Sequence, residues 1–218
     1  MAPKRPRVLL ADDHTLVLEG ISKLLEPRFE LAGTAEDGRA LLEAAKKLRP
    51  DIILVDISMP LLNGIDAARQ LRKLVPDARI IFLSMHADPF YVTEAFRAGG
   101  VGYLLKRSAA SELLFAIDEV MKGRVYVTPA VTKDVLKGVF GEAEASRRAP
   151  EKAPHLTPRQ REVLQLVAEG KSIKEIATIL DISIKTVEFH KSRIKDELGI
   201  RTTAELTKYA VSHGIASL

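Results

Sequence analysis

The chain has 218 residues, 46% of them hydrophobic, enough to bury one large core or two modest ones. It contains no cysteine, which excludes disulfides and thiolate metal sites. No apolar run reaches membrane-spanning length, and the start MAPKRPR lacks a signal-peptide core, so a cytoplasmic protein without a membrane partner is expected. Charge divides unevenly. From Arg147 onward 13 Lys+Arg stand against 9 Asp+Glu, leaving 20 against 20 before it, so the formal excess of +4 lies in the C-terminal part and permits nucleic-acid contact there.

In chain order, strand-like apolar runs alternate with helical patterns from Arg7 to Met121. Arg7–Ala11 (RVLLA) ends in Asp12-Asp13, Asp51–Val55 (DIILV) in Asp56, Arg79–Leu83 in Ser84, and Gly102–Leu105 (GYLL) in Lys106. Helices are expected over Thr15–Leu25, Arg39–Leu48, Ile65–Leu74, Pro89–Ala98 and Ser111–Met121. Five repeats of strand then helix imply a doubly wound, five-stranded parallel sheet, an α/β fold. Short continuous apolar runs suit strands buried on both faces, and such sheets present their ligands outside the carboxyl ends of the strands. Asp12, Asp13, Asp56 and Lys106 should therefore converge. Clustered carboxylates repel one another unless a cation sits among them, and oxygen ligands favour Mg²⁺. A lysine beside them offers a point charge to a phosphoryl oxygen. A single Asp after a strand is usually a cap or turn residue; four polar groups at successive strand ends are harder to assign to capping.

After Tyr126 no further strand is expected. Val131–Phe140 reads as one short helix, and Gly141–Pro154 (GEAEASRRAPEKAP) as a linker poor in bulky apolar residues. The chain then divides into residues 1–125, a linker over 126–154, and residues 155–218. The last unit reads as four helices. Thr157, Pro158 and Gln160 open the first, which stops at Gly170, and Ser172-x-x-Glu175 opens the second as a capping box. Asp181-Ile182-Ser183 makes a tight turn, and the third helix runs from about Ile184 to Leu198. Two short helices joined by such a turn are the helix-turn-helix pattern, whose second member enters the major groove of DNA. On that helix Ile184, Val187, Ile194 and Leu198 share a face for packing, while Lys185, Glu188, Phe189 and Ser192 point away and Lys191 and Lys195 lie at the margins, in reach of phosphates. Ala204, Leu206, Tyr209 and Ala210, in the last helix, offer either a dimer interface or closure of the small core.

ADD at 11–13, LVDISMP at 54–60 with Gly64, FLSMH at 82–86 and GYLLK at 102–106 resemble the receiver domain of two-component response regulators. The segment 156–200 resembles the LuxR-type helix-turn-helix domain, and the two together have the architecture of NarL/FixJ-type response regulators. The resemblance implies a DNA-binding regulator, not an enzyme with an external substrate. Asp56 would take a phosphoryl group from a sensor histidine kinase. Asp13, Asp56 and the Ser58 carbonyl would hold Mg²⁺, with Asp12 acting through water. Lys106 and Ser84 would contact the phosphoryl group, Tyr103 would be a rotamer switch coupled to Ser84, and the chain would form a homodimer on double-stranded DNA once activated. Glu188, Phe189 and Ser192 take the family's base-facing positions. Many receivers carry proline after the lysine where this chain has Arg107, so a trans bond and a different loop are expected. His14 and His190 read as capping or packing residues.

Overall fold

The computed structural model describes residues 5–132 and 156–216. The expected helix over Val131–Phe140 falls almost wholly, and the linker over Gly141–Pro154 entirely, outside them.

Six parallel strands lie in the order β2-β1-β3-β4-β5-β6. They are β1 (Arg7–Ala11), β2 (Glu30–Ala35), β3 (Ile52–Asp56), β4 (Arg79–Ser84), β5 (Gly102–Leu105) and β6 (Tyr126–Val127). Between them run α1 (Thr15–Leu25), α2 (Gly38–Leu48), α3 (Gly64–Leu74), α4 (Pro89–Arg97), a single 3₁₀ turn at Lys106–Ser108, and α5 (Ala109–Met121). The sixth strand corrects the expected five. It is only two residues long, too short for any periodicity to show, and it is recruited by pairing Gly102 with Tyr126 and Tyr103 with Val127. The sheet thus ends two residues beyond position 125.

The period-2 alternation of the strands sorts their side chains onto two cores. Leu9, Ile53, Val55, Phe82 and Tyr103 face α2, α3 and α4. Val8, Leu10, Ile52, Leu54, Ile81 and Leu104 face α1 and α5, meeting Leu18, Ile21, Leu25, Leu113 and Ile117. Burying each such aliphatic side chain contributes about 1.5–3 kcal/mol, and the covering of both faces is what makes these strands read as unbroken apolar runs. The first turn of α3 passes so close to the end of β3 that a Cβ on Gly64 would lie 2.0 Å from the Asp56 carbonyl. Only glycine fits there, and it holds the loop after Asp56 to a short path.

The C-terminal unit is four helices: α6 (Pro158–Ala168), α7 (Ile173–Leu180), α8 (Ile184–Leu198) and α9 (Thr203–Ser212). Thr157 with Gln160, Ser172 with Glu175, and Thr202 with Glu205 form reciprocal capping boxes, each satisfying two orphan backbone donors. Its core gathers Val163, Leu166, Ile176, Leu180, Val187, Ile194, Leu206 and Ala210. Leu206 and Ala210 are fully buried and close that core, so neither is available to a dimer interface. Ile184, expected to pack, is 44% exposed: it is the first residue of α8, and the small core takes in Val187 and Ile194 further along the helix.

Candidate functional site

The carboxyl ends of β1, β3 and β5 bring the predicted acidic residues together. Asp12 and Asp56 are buried, and the Lys106 ammonium lies 2.8 Å from Asp12 Oδ2 and 3.1 Å from Asp56 Oδ2. The ammonium thus bridges the two carboxylates and offsets part of their charge. Burial raises the Asp56 carboxyl above its ordinary range, Lys106 pulls it down, and Asp12 and Asp13 push it up again. Burial would lower Lys106, but its bonds to Asp12 and Asp56 win and hold it above the usual lysine value. Donor atoms of Asp12, Asp13, His14 and Asp56 all lie within 4.8 Å of one another. Three clustered carboxylates, two of them buried and offset by a single lysine, fit a hard divalent cation.

Ser84 is buried at the end of β4, and its hydroxyl accepts from the backbone N–H of His86 at 3.0 Å. Tyr103 is fully buried and donates its hydroxyl proton to the His86 carbonyl at 2.8 Å. Burial pushes this phenol up to about 12, with the Ser84 hydroxyl pulling the other way. Ser84 and Tyr103 thus meet at one residue, His86, whose ring stacks on Tyr91 at 4.2 Å. Ser58 is half-buried in the loop after β3 and lines a cavity of about 200 Å³ with Asn63, His86, Tyr91 and Gly214. After Lys106 the chain enters the 3₁₀ turn through Arg107, with no cis peptide among the described residues.

On α8, Lys185, Glu188, Phe189 and Ser192 are exposed, Phe189 at 60%. Val187 and Ile194 anchor the opposite face. Lys191 is half-buried. Lys195 differs from expectation: its ammonium donates to the Arg201 carbonyl at 2.8 Å and so is already engaged within the domain. His190 caps nothing; its ring sits edge-on to Phe189 at 5.8 Å.

A set of residues that the sequence reading did not single out joins the two units. Gln165 of α6 is 1% exposed. Its side chain donates to the Met59 carbonyl at 3.0 Å and accepts from the Asn63 backbone N–H at 2.8 Å. Asn63 in turn donates to the Ile215 carbonyl at 3.1 Å. The Glu169 carboxylate accepts from the Leu61 N–H, Arg161 pairs with Asp66, and Glu162 accepts from Arg39 and Gln70. Burial raises the Glu169 carboxyl, partly offset by its bonds to Gln165 and Leu61. Leu61, with φ at 63°, turns its side chain into the C-terminal core. A Cβ on Gly214 would lie 2.6 Å from the Tyr91 ring, so the end of the chain packs directly against α4. The signal was present in REVLQLVAEG: a helix apolar or buried over 162–168 on every face needs a second partner besides its own domain.

Comparison with known proteins agrees with this geometry. Residues 8–118 match the response regulator receiver domain, and residues 154–210 match the bacterial regulatory proteins of the luxR family. The transcriptional regulatory protein MctR of Rhizobium johnstonii is 41% identical over 213 residues, covering 97% of this chain and 95% of its own. The transcriptional regulatory protein DegU of Brevibacillus brevis is 35% identical, covering 95% and 94%. RcsB from Salmonella enterica serovar Typhimurium, solved bound to the promoter P1flhDC with the phosphomimetic BeF₃⁻, superimposes with a TM-score of 0.60 at 31% identity, covering 96% of this chain and 100% of that one. A sheet with its acidic pocket at the carboxyl edge, followed by a capped helix-turn-helix, places this chain in the NarL/FixJ-type two-component response regulators, as a transcription regulator with a receiver domain and a LuxR-type DNA-binding domain.

Proposed function

We propose that Asp56 is the phosphoacceptor, taking a phosphoryl group from a phosphohistidine on a sensor histidine kinase. The observation that carries this is the Lys106 ammonium held between the two buried carboxylates of Asp12 and Asp56, with Asp13 beside them. Asp13, Asp56 and the Ser58 carbonyl would hold Mg²⁺, with Asp12 acting through water, and the cation when bound offsets charge on the transferring group. Lys106 neutralises a phosphoryl oxygen, and Ser84 donates to another. Turning its hydroxyl to that oxygen weakens its hold on His86, and Tyr103, tied to the same residue, registers the change.

The receiver unit comprises residues 1–125 with its short edge strand, 126–154 connect it, and 155–218 read DNA. Glu188, Phe189 and Ser192 face bases, with Lys185 on the same DNA-facing side and Lys191 and Lys195 beside the phosphates. The partner is double-stranded DNA in the cytoplasm, met as a homodimer after activation, and beyond its own aspartyl phosphate the chain turns over no substrate. Phosphorylation adds about −1.5 to −2 charge at Asp56, three residues before Met59, whose carbonyl Gln165 holds. The loop after Asp56 is therefore the link between the modified residue and the DNA-binding unit.

The test is incubation with acetyl phosphate and Mg²⁺, followed by phosphate-affinity electrophoresis. One hydroxylamine-sensitive label is expected on the wild type and none on Asp56→Ala. A label that persists in Asp56→Ala, or repeated turnover of small phosphoesters, overturns the reading.

A further inference from the structure

We infer that His14 is a ligand of the cation in the acidic pocket, and that through it the pocket prefers a first-row divalent transition cation such as Mn²⁺ to Mg²⁺. The inference rests on the reading of Asp12, Asp13 and Asp56 as a cation site and names a further ligand for it.

His14 occupies the N-cap position of α1, with the extended backbone of a capping residue (φ −100, ψ 107), yet its side chain makes no capping hydrogen bond. Serine, threonine, aspartate and asparagine supply that bond, and an imidazole in their place leaves the first turn of the helix without it. The ring turns instead toward the pocket. Its Nδ1 lies 2.9 Å from Asp13 Oδ1 and 3.1 Å from Asp12 Oδ1. One donor atom from each of Asp12, Asp13, His14 and Asp56 falls within 4.8 Å of the others. That span is about twice a typical first-row metal–ligand distance of roughly 2.0–2.2 Å, so Asp13, His14 and Asp56 can reach one ion, with Asp12 close enough to hold it through water. A separate observation points to a cation: Asp12 and Asp56, 0% and 2% exposed, share the single Lys106 ammonium at 2.8 and 3.1 Å, which leaves three clustered carboxylates with an excess of negative charge.

The donor type decides which cation gains. Mg²⁺ takes oxygen ligands and gives up its waters reluctantly, whereas an imidazole nitrogen suits first-row transition ions, whose affinities rise along the series from Mn²⁺. Oxygen ligands alone discriminate weakly; a nitrogen added to them shifts the balance. The competing account of the contacts is a partly exposed histidine, its side chain 65% accessible, paired with Asp13 at the surface and indifferent to metal.

Pulsed electron paramagnetic resonance of the full chain with Mn²⁺ separates the two accounts. The expected spectrum shows coupling to an imidazole nitrogen in the wild type and none in His14→Ala. Titration should show Mn²⁺ binding weakened about tenfold or more in His14→Ala, with Mg²⁺ binding, followed by competition, changed by less than about twofold. Absence of nitrogen coupling in the wild type, its persistence in His14→Ala, or an equal loss for both cations overturns the inference. The wild-type spectrum needs no variant, so misfolding cannot mask the result. If Mn²⁺ binds without nitrogen coupling and Asp13→Asn abolishes that binding, the inference about His14 fails while the cation site stands. If neither cation binds the wild type, the site itself falls.

Discussion

The side-chain amide of Gln165 donates to the carbonyl of Met59, three residues after Asp56, at 3.0 Å, and its oxygen accepts from the Asn63 N–H at 2.8 Å. One buried glutamine thus bridges the loop that follows Asp56. Gln165→Leu, similar in volume, leaves a buried carbonyl and a buried N–H unpaired, at a cost of about 1–3 kcal/mol each. The cost falls on the docked arrangement alone, since water satisfies both groups once the units separate. Gln165→Leu should therefore raise the radius of gyration measured by small-angle X-ray scattering and reproduce the effect of beryllofluoride on the wild type. A variant as compact as the wild type, with beryllofluoride expanding both alike, would show that Gln165 carries none of the coupling.

Asp56→Asn should stabilise the cation-free protein at neutral pH. Burial raises the Asp56 carboxyl, so its ionised form is disfavoured in the folded state. The sign follows: a carboxyl raised on folding costs nothing below its ordinary value of 3.8, where both states are protonated, and the cost grows as pH rises through the folded value. The gain in melting temperature, about 2–4 °C per kcal/mol for chains of 150–250 residues, should shrink in acid and also when Mg²⁺ or Mn²⁺ is added to both proteins. Calorimetry at several pH values checks this. A difference that persists at pH 3, or one of opposite sign at pH 7, refutes it.

Activation should change self-association, because a two-fold protein matches half-sites one helical turn apart. Sedimentation with beryllofluoride is expected to show a dimer where the untreated chain is a monomer. Since Leu206 and Ala210 are sealed inside the small core, their substitution should unfold the domain instead of merely separating dimers, and only exposed positions such as Ala204 can report an interface on α9. A monomer in both states, with and without DNA, counts against the expectation.

On α8 the two lysines should differ. Lys191 has no partner among the hydrogen bonds and ion pairs of the described residues, whereas Lys195 is bonded to the Arg201 carbonyl. Lys191→Ala should weaken binding to all sequences and reduce the salt slope by about one unit. Lys195→Ala should reduce the slope less while lowering the thermal stability of the domain. Glu188→Ala should relax discrimination at one base pair, worth about 1–3 kcal/mol. Binding to a panel of single-base operator variants at several salt concentrations decides; a uniform loss for Glu188→Ala would remove it from base reading.

The parts of the fold legible in the sequence were those with dense local signals. RVLLA, DIILV and GYLL are buried on both faces and announce central strands, and the capping boxes at Thr157 and Ser172 mark helix starts to the residue. Two elements at the edges of the sheet lacked such signals. ELAGTA, at 30–35, is largely half-exposed and rich in small residues, and Tyr126–Val127 is two residues long. The pocket could be read because each of its members ends a strand. The Gln165–Asn63 contact could not, because it joins residues 102 positions apart through loops whose pairing only the packed arrangement defines. The orientation of the His14 ring was not legible for a related reason: its position is that of a cap, but the ring lies beside carboxylates brought close by the turn after β1.

In the docked arrangement Glu188, Phe189 and Ser192 stay open to solvent while Gln165, Ile215 and the flank of α6 are covered. The receiver holds the reader by its back. A reader gripped in that way is not blindfolded: those three side chains are bare before any signal arrives, and what the grip removes is freedom of orientation. The natural consequence is control over how two copies align along a duplex, so that the signal would be felt more in the cooperativity of binding to paired half-sites than in the contact of one copy with a single half-site.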